Sequence, residues 1–472
     1  MISYSPPQIK FSDVAHADAH IPVAIIGGGA CGLSCALHLS DLGVACAVFE
    51  RDTLAQGSTA LSSGFIPAVN TRLQRSLGIA DSVELFVKDI QKKSSNESDP
   101  ALAAAYAQAV GKALDALESL HGFEWILLDQ FLYSGHSTHR MHAVPEKTGQ
   151  SLMARLMGAL ERREIPLINE ALVKDLWVQD KRVKGFSLLR PNGSVETYSC
   201  DALILCCNGY GGNPELVKEY LPQVKDAVFA GHQGNDGSAV LWGRQLGAQL
   251  ADLGGYQGHG SWASPHGILI TWAVMLEGGV QLNSLGKRFH NETKGYSEAA
   301  VEVLGQPGGV AWCVFDELIK TFGDGFPDFV TAEKNGVIKK SNNLSELAKV
   351  LGCSEETLSA ELSGLNTAKP DATGRQFKRK LEAPYYSIKV TGALFHTQGG
   401  LAIDTHARVR HSSGVPFDNL WAAGGAARGV SGNHVAGYLS GNGLLSAFAG
   451  GYIAANSAAA YLESALKVPQ DH

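Results

Sequence analysis

Between Ile21 and Glu50 the chain runs through four blocks in order: an apolar run (IPVAIIG), a glycine-rich turn, an alanine-rich stretch, and a second apolar run (VACAVFE) that ends in an acid. Short apolar runs bounded by turn residues read as buried strands, so this order predicts a β-α-β unit. Further on, Leu102, Tyr106, Val110, Leu114 and Leu117 recur every three or four residues, which predicts a helix around Leu102 to Leu120 with its apolar stripe toward the core. From Gly149 to Leu205 the pattern predicts a helix (SLMARLMGALERR), a strand near Leu167, an antiparallel meander turning at Pro191-Asn192-Gly193, and a buried strand (ALILCC).

Between about Gly258 and Asp404 the pattern changes to strands, short helices and polar loops, with helical patches at Leu344 to Leu351 and Ser354 to Leu365. An apolar strand at Asn419 to Ala423 and a glycine-rich sequence after it then resume the first pattern. The expected organisation is a flexible N-terminal arm (1–20), a discontinuous nucleotide-binding domain (21–257 and 405–472), and an inserted cap for substrate (258–404). The run from Gly443 to Leu462 is the one stretch that suggests a membrane span. It carries Asn456 and several serines, and so reads as a helix packed inside the protein.

Composition narrows the function classes. The 54 glycines are dispersed through patterned sequence, which points to tight turns and close backbone approaches rather than a linker. A net charge of −7 without a basic cluster argues against a nucleic-acid partner. The eight cysteines include Cys31, Cys35 and Cys46 in one apolar block and Cys206 with Cys207 in another, without CxxC spacing, as expected of reduced, buried thiols and not of a metal site. The first twenty residues lack the apolar core of a signal peptide, so a cytoplasmic protein is expected.

Gly27, Gly29 and Gly32 form G-x-G-x-x-G after a strand and at the mouth of a helix, where backbone N–H groups can approach a pyrophosphate. Glu50 closes the next strand and is placed to accept hydrogen bonds from ribose hydroxyls, with Arg51 beside it. A second small-residue loop follows directly, Gly57-Ser58-Thr59-Ala60-Leu61-Ser62-Ser63-Gly64, which favours FAD over NAD.

With these motifs the chain, from Ile21 to Leu462, resembles the flavoprotein family of fumarate reductase, succinate dehydrogenase and 3-ketosteroid dehydrogenase. Cys206-Cys207-Asn208-Gly209 resembles the family's second nucleotide strand end, Asn235-Asp236-Gly237 its Gly-Asp-Gly turn, and Ala422-Ala423-Gly424-Gly425 its late loop with the acid lost. Ser440-Gly441-Asn442-Gly443 resembles its closing helix start, and Val173 and Leu444 are assigned to the same cofactor site. A helix starting at Asn442 would aim its positive end at the flavin pyrimidine ring. The resemblance therefore implies an α/β fold: a discontinuous Rossmann-like FAD-binding domain with an inserted α+β cap. Where some members attach FAD to a histidine, this chain reads Gly64-Phe65-Ile66-Pro67, so non-covalent FAD is expected.

The resemblance also implies reacting groups. His259, in Gln257-Gly258-His259, and His396, in His396-Thr397-Gln398-Gly399-Gly400, match the family's substrate-binding histidines. The departures matter equally. After Gly286-Lys287-Arg288-Phe289-His290-Asn291-Glu292 the chain continues Thr293-Lys294-Gly295-Tyr296, where fumarate reductases carry a proton-donating arginine and ketosteroid dehydrogenases a tyrosine base. A second arginine is replaced by Tyr438. Without either guanidinium a dicarboxylate is poorly gripped. The expectation is a ketone: Tyr296 takes the α-proton with help from Lys294 or His290, His396 with Tyr438 or nearby N–H groups stabilises the enolate, and hydride passes to flavin N5. A free tyrosine has a pKa of about 10, so it needs such help at neutral pH.

The leading expectation is thus an FAD-dependent α,β-dehydrogenase (desaturase) of a small cyclic ketone such as 4-oxocyclohexanecarboxylate. A fumarate-reductase-like reductase of an unsaturated carboxylate is the alternative, a 3-ketosteroid dehydrogenase a further one, and a non-catalytic flavin-binding protein a third class. The expected partners are a ketone or enone substrate and an external electron acceptor or dioxygen. The cluster His136-Ser137-Thr138-His139-Arg140-Met141-His142 lacks acid or Cys at ligand spacing; it reads as a loop near the flavin, with Arg140 as a candidate carboxylate anchor, and not as a metal site.

Overall fold

The computed structural model describes residues 6–129, 132–365 and 368–467. The chain divides into two compact units, the first comprising the residues up to Leu216, Gly231–Tyr256 and those from His396 onward, the second Val217–Ala230 and Gln257–Phe395.

Among its described residues the first unit is built on a nine-stranded sheet. The predicted β-α-β unit forms the strand Ala19–Ile26, the helix Ala30–Asp41 and the strand Cys46–Phe49. Cys46–Phe49 and Val195–Leu205 lie parallel to Ala19–Ile26 on either side, and Pro416–Ala422 extends the parallel set from the far end of the chain. The meander Leu172–Gln179, Arg182–Leu189, Val195–Leu205 is antiparallel, with the turn where Pro191-Asn192-Gly193 predicts it.

Helix formation follows the sequence signals. Asp99 accepts from the N–H groups of Ala101 and Leu102 to cap Pro100–His121, which ends at Gly122 with φ 71°. The helix Asn442–Lys467 packs against Ala30–Asp41 and Pro100–His121. Its small residues allow that close approach, while Leu445 and Phe448 are fully buried, each contributing roughly 1.5–3 kcal/mol. No helix among the described residues is long and apolar enough to cross a membrane.

The second unit has its own core, including Val280, Phe315, Phe329, Leu347 and Ile388. Its sheet includes Val280–Leu282, Val310–Asp316 and Tyr385–Thr397 in antiparallel array. The patches expected at Leu344 to Leu351 and Ser354 to Leu365 form the helices Leu344–Leu351 and Glu355–Ser363, capped by Asn343 and Ser354.

Three segments differ from the sequence expectation. Residues 396–404 fall in the first unit rather than the cap, because Gly400–Leu401 pairs with Leu250–Ala251. Residues 217–230 fall in the second, because Val228–Phe229 pairs with Ala393 and Leu394. The N-terminal arm is tied down in part: Gln8–Lys10 adds a strand beside Asp175 to Trp177, and the Ile9 N–H donates to Gln245 Oε1 at 3.0 Å.

Candidate active site

Glycine at 32 is required by the helix it opens: a Cβ there would lie 1.9 Å from the Gly27 carbonyl oxygen. At Gly29, by contrast, a Cβ would meet nothing within 4 Å, and this residue caps Ala30–Asp41 without a side-chain hydrogen bond. The mouth of that helix is therefore open space at Gly29, with no side chain of the cap residue itself filling it. Glu50 is buried beside it. Its carboxylate accepts from Gly28 N–H at 2.7 Å and Asp52 N–H at 2.9 Å, and burial raises its pKa despite those two bonds.

The second loop joins this site. Gly57 lies against Gly29, and Thr59 Oγ1 sits 3.4 Å from the Ala30 N–H. Ser58 Oγ accepts from the side-chain amides of Asn208 and Asn235, each at 3.1 Å. Ser62 Oγ donates to Thr59 O and accepts from Gly64 N–H, while Ser63 is exposed. Cys206 and Cys207, directly after the strand Val195–Leu205, press their backbone against Gly27, and the Gly209 and Gly425 backbones close on Thr397 and Asn208. Asp236 accepts from Ser238 N–H and Oγ–H, with exposed Arg51 3.5 Å away. Gly424 lies over Cys31, and buried Val173 follows Ala171, whose N–H donates to the Glu50 carbonyl.

His396, near the end of the strand Tyr385–Thr397, rests on the start of Asn442–Lys467. A Cβ on Gly443 would stand 2.8 Å from the imidazole, so glycine lets the ring rest on the first helical turn. Gly441, with φ 88°, turns the chain into that helix against Pro67, and Leu444 is half-buried on its first turn. Tyr438 meets His396 edge-on, ring centroids 5.6 Å apart. Burial lowers the His396 pKa to about 4, so the imidazole is neutral at neutral pH. Gln398 Nε2 lies 3.1 Å from its Nδ1, an interaction that the motif contains but that sequence reasoning did not assign.

In the second unit His259 stacks on Tyr296, centroids 4.6 Å apart and planes 16° from parallel. The Ser261 N–H donates to His259 Nδ1 at 3.2 Å, leaving the proton on Nε2, and burial lowers the pKa to about 3. Tyr296 opens the helix Tyr296–Leu304. His290, an expected helper of Tyr296, instead bonds Gln281 Oε1 through Nε2 at 2.8 Å.

What anchors this segment is a buried ion cluster. Glu292, inaccessible to solvent, takes Arg288 in a two-pronged pair at 3.0 and 2.7 Å and Arg375 at 2.7 Å. Burial alone would raise its pKa, but the Arg288 hydrogen bonds and the two guanidinium charges outweigh it and hold the group at about 2. Arg375 stands far along the chain from Glu292, and no sequence signal marked it.

Arg140, the candidate carboxylate anchor, is corrected by the structure. It is fully buried and engaged by Asp81 at 2.9 and 3.1 Å and Asp89 at 2.5 Å, so it holds the fold. Its neighbours are similarly occupied: His142 bonds Thr71 Oγ1 and the Arg140 carbonyl, and His136 Nε2 donates to Ser440 O.

Residues 22–444 match the family model described as FAD binding domain. The chain belongs to this family. It is an FAD-dependent oxidoreductase, similar over 93% of its length to a probable fumarate reductase of Shewanella frigidimarina (strain NCIMB 400), at 28% identity over 448 residues and 74% of that protein. A urocanate reductase of Eggerthella lenta is 25% identical over 462 residues, 93% of this chain and 75% of that protein. An NADH:fumarate oxidoreductase of Klebsiella pneumoniae is 26% identical over 446 residues, and the 93% of this chain that aligns spans only 47% of it. Among solved structures, the open conformation of a flavocytochrome c3 fumarate reductase has a TM-score of 0.81 at 27% identity, covering 95% of this chain and 79% of that one. A 3-ketosteroid-Δ4-(5α)-dehydrogenase of Rhodococcus jostii shares the fold, with a TM-score of 0.76 at 20% identity, covering 95% of this chain and 99% of that one.

The residues present fit FAD. The open, uncapped helix mouth at Gly29 suits a pyrophosphate, and Glu50 retains lone pairs for ribose hydroxyls. At the other helix start Asn442 Oδ1 and Ser446 Oγ are buried without a partner among the described residues.

Proposed function

We propose that this FAD enzyme takes a proton and a hydride from adjacent carbons of a small, cyclic ketone, such as 4-oxocyclohexanecarboxylate, leaving a C=C bond conjugated with the carbonyl. The observation that carries this reading is the His396–Tyr438 pair, in which a half-buried, neutral imidazole meets a phenol where the resembled fumarate reductases have an arginine. Neutral donors match a single carbonyl oxygen, whereas a dicarboxylate calls for guanidinium forks.

In this reading Gly27, Gly29, Gly32, Glu50 and the loop Ser58–Gly64 hold FAD without a covalent link. Bound FAD supplies the two-electron acceptor for the hydride that leaves the β-carbon. His396 donates to the carbonyl oxygen and stabilises the enolate that develops as the α-proton leaves. Tyr296, ionised to its phenolate with its own proton released to solvent, receives that α-proton on oxygen, its ring held flat by His259. The electrons then pass to an external acceptor or to dioxygen.

A second reading is favoured by the named activities of the relatives, fumarate, urocanate and acrylate reduction. In it the same groups run in reverse, and Tyr296 or Lys294 delivers a proton to an unsaturated carboxylate. Anaerobic mixing of the yellow holoenzyme with saturated cyclic ketones separates the two. Bleaching of the flavin by a ketone supports desaturation. An inert oxidised enzyme whose prereduced flavin is reoxidised by unsaturated acids supports the reductase.

A further inference from the structure

We infer that Gln398 is a positioning residue that fixes His396 as the tautomer with its proton on Nε2, through a one-way hydrogen-bond chain that starts at Asn442. The inference rests on the role proposed for His396 above and explains how that role is secured.

The chain is read donor by donor. Asn442 Nδ2–H donates to Ser431 Oγ at 2.9 Å. With that lone pair occupied, the Ser431 hydroxyl donates to Gln398 Oε1 at 2.8 Å. The carbonyl end of the Gln398 amide is thereby turned to Ser431, and its Nε2–H end faces His396 Nδ1 at 3.1 Å. An Nδ1 that accepts cannot carry the proton, so Nε2 must. The Gln398 backbone is held as well, by its N–H to Gly255 O at 2.8 Å and its carbonyl from Gly429 N–H at 2.7 Å.

The surroundings make the tautomer consequential. Asn442, Ser431 and Gln398 are all buried, so the polar atoms that form this chain have their neighbours in it, and not water, as partners. A neutral imidazole has a single N–H, and the tautomer alone decides whether Nε2 donates to a substrate oxygen or presents a lone pair to it. Thr397 O lies 3.3 Å from Nδ1 and makes the opposite demand, since it can only accept. Gln398 is the shorter partner and sets the balance.

The test reads the tautomer directly. Two-bond proton–nitrogen correlation spectra of the ¹⁵N-histidine-labelled FAD holoenzyme report which ring nitrogen is protonated, with His396 identified by its absence in His396→Gln. The expected result is protonated Nε2 in the native enzyme. In Gln398→Glu, whose carboxylate can only accept, and in Gln398→Met, which leaves Thr397 O as the Nδ1 partner, the pattern should reverse to protonated Nδ1. Turnover should fall roughly 10²-fold in both, the cost of losing one donor to a developing oxyanion. Protonated Nδ1 in the native enzyme, as both amides turned the other way would give, overturns the inference, and so does an unchanged pattern in both variants. A reversed pattern with undiminished turnover upholds the role of Gln398 and removes the one proposed for His396.

Discussion

His259 lies flat against Tyr296, with ring centroids 4.6 Å apart, so the phenol is held by a neutral ring that exchanges no charge with it. Phenylalanine at 296 preserves that stack and removes only the hydroxyl. Tyr296→Phe is expected to keep the fold and the bound FAD while slowing ketone-driven flavin reduction by roughly 10²–10⁴-fold, the range for loss of a general base. Anaerobic stopped-flow absorbance checks this, and a rate within threefold of native rules Tyr296 out as the base.

Gly443 leaves His396 its place. Gly443→Ala puts a methyl 2.8 Å from the imidazole, closer than side-chain atoms tolerate, so the ring must move off the helix. The expected outcome is a more than tenfold loss of kcat at a stability cost of about 1–3 kcal/mol, typical of overpacking. Steady-state kinetics beside urea unfolding measure both, and unaltered kcat would show that the ring position is immaterial.

Glu292 bridges two buried arginines, and removing its charge strands them. Glu292→Gln should cost about 3–5 kcal/mol, seen as a lowered urea midpoint. The pH dependence has a definite sign: a carboxyl at about 2 in the folded state, against 4.5 ordinarily, stabilises fully above 4.5 and loses that contribution as pH falls through 2. Native stability should therefore drop more steeply over that window than that of Glu292→Gln, and parallel curves would contradict the assignment.

Glu50 is the acceptor at the end of its strand. In Glu50→Ala the Gly28 and Asp52 N–H groups lose their shared partner, and a ribose would lose its acceptor too. The variant should release FAD at least tenfold more readily, by flavin fluorescence on dilution. Equal retention would place the ribose elsewhere.

Much of the first unit was legible in the sequence, because its signals are local. The β-α-β unit, the helix at Leu102 to Leu120, the meander and the helix after Gly443 each announce themselves through apolar period and turn residues within a short window. The FAD family was legible for the same reason, since G-x-G-x-x-G and its companion loops are contiguous motifs. Pattern alone misplaced residues 396–404 and 217–230, whose unit is set by strand partners distant in sequence. It also left open the purpose of Arg140, because a guanidinium reads alike whether it awaits a carboxylate ligand or already holds Asp81 and Asp89.

By itself, then, the sequence determined that this chain builds a discontinuous dinucleotide fold with glycine-lined loops, and which histidines and tyrosines are candidates for the chemistry. Only the tertiary structure decided what each of them touches: Tyr296 on His259, His396 on Gly443 and Gln398, Arg375 on Glu292. The reason is physical. Periodicity and turn chemistry act over a few residues, whereas tautomer, ring orientation and ion pairing depend on groups that only the folded chain brings within hydrogen-bond reach.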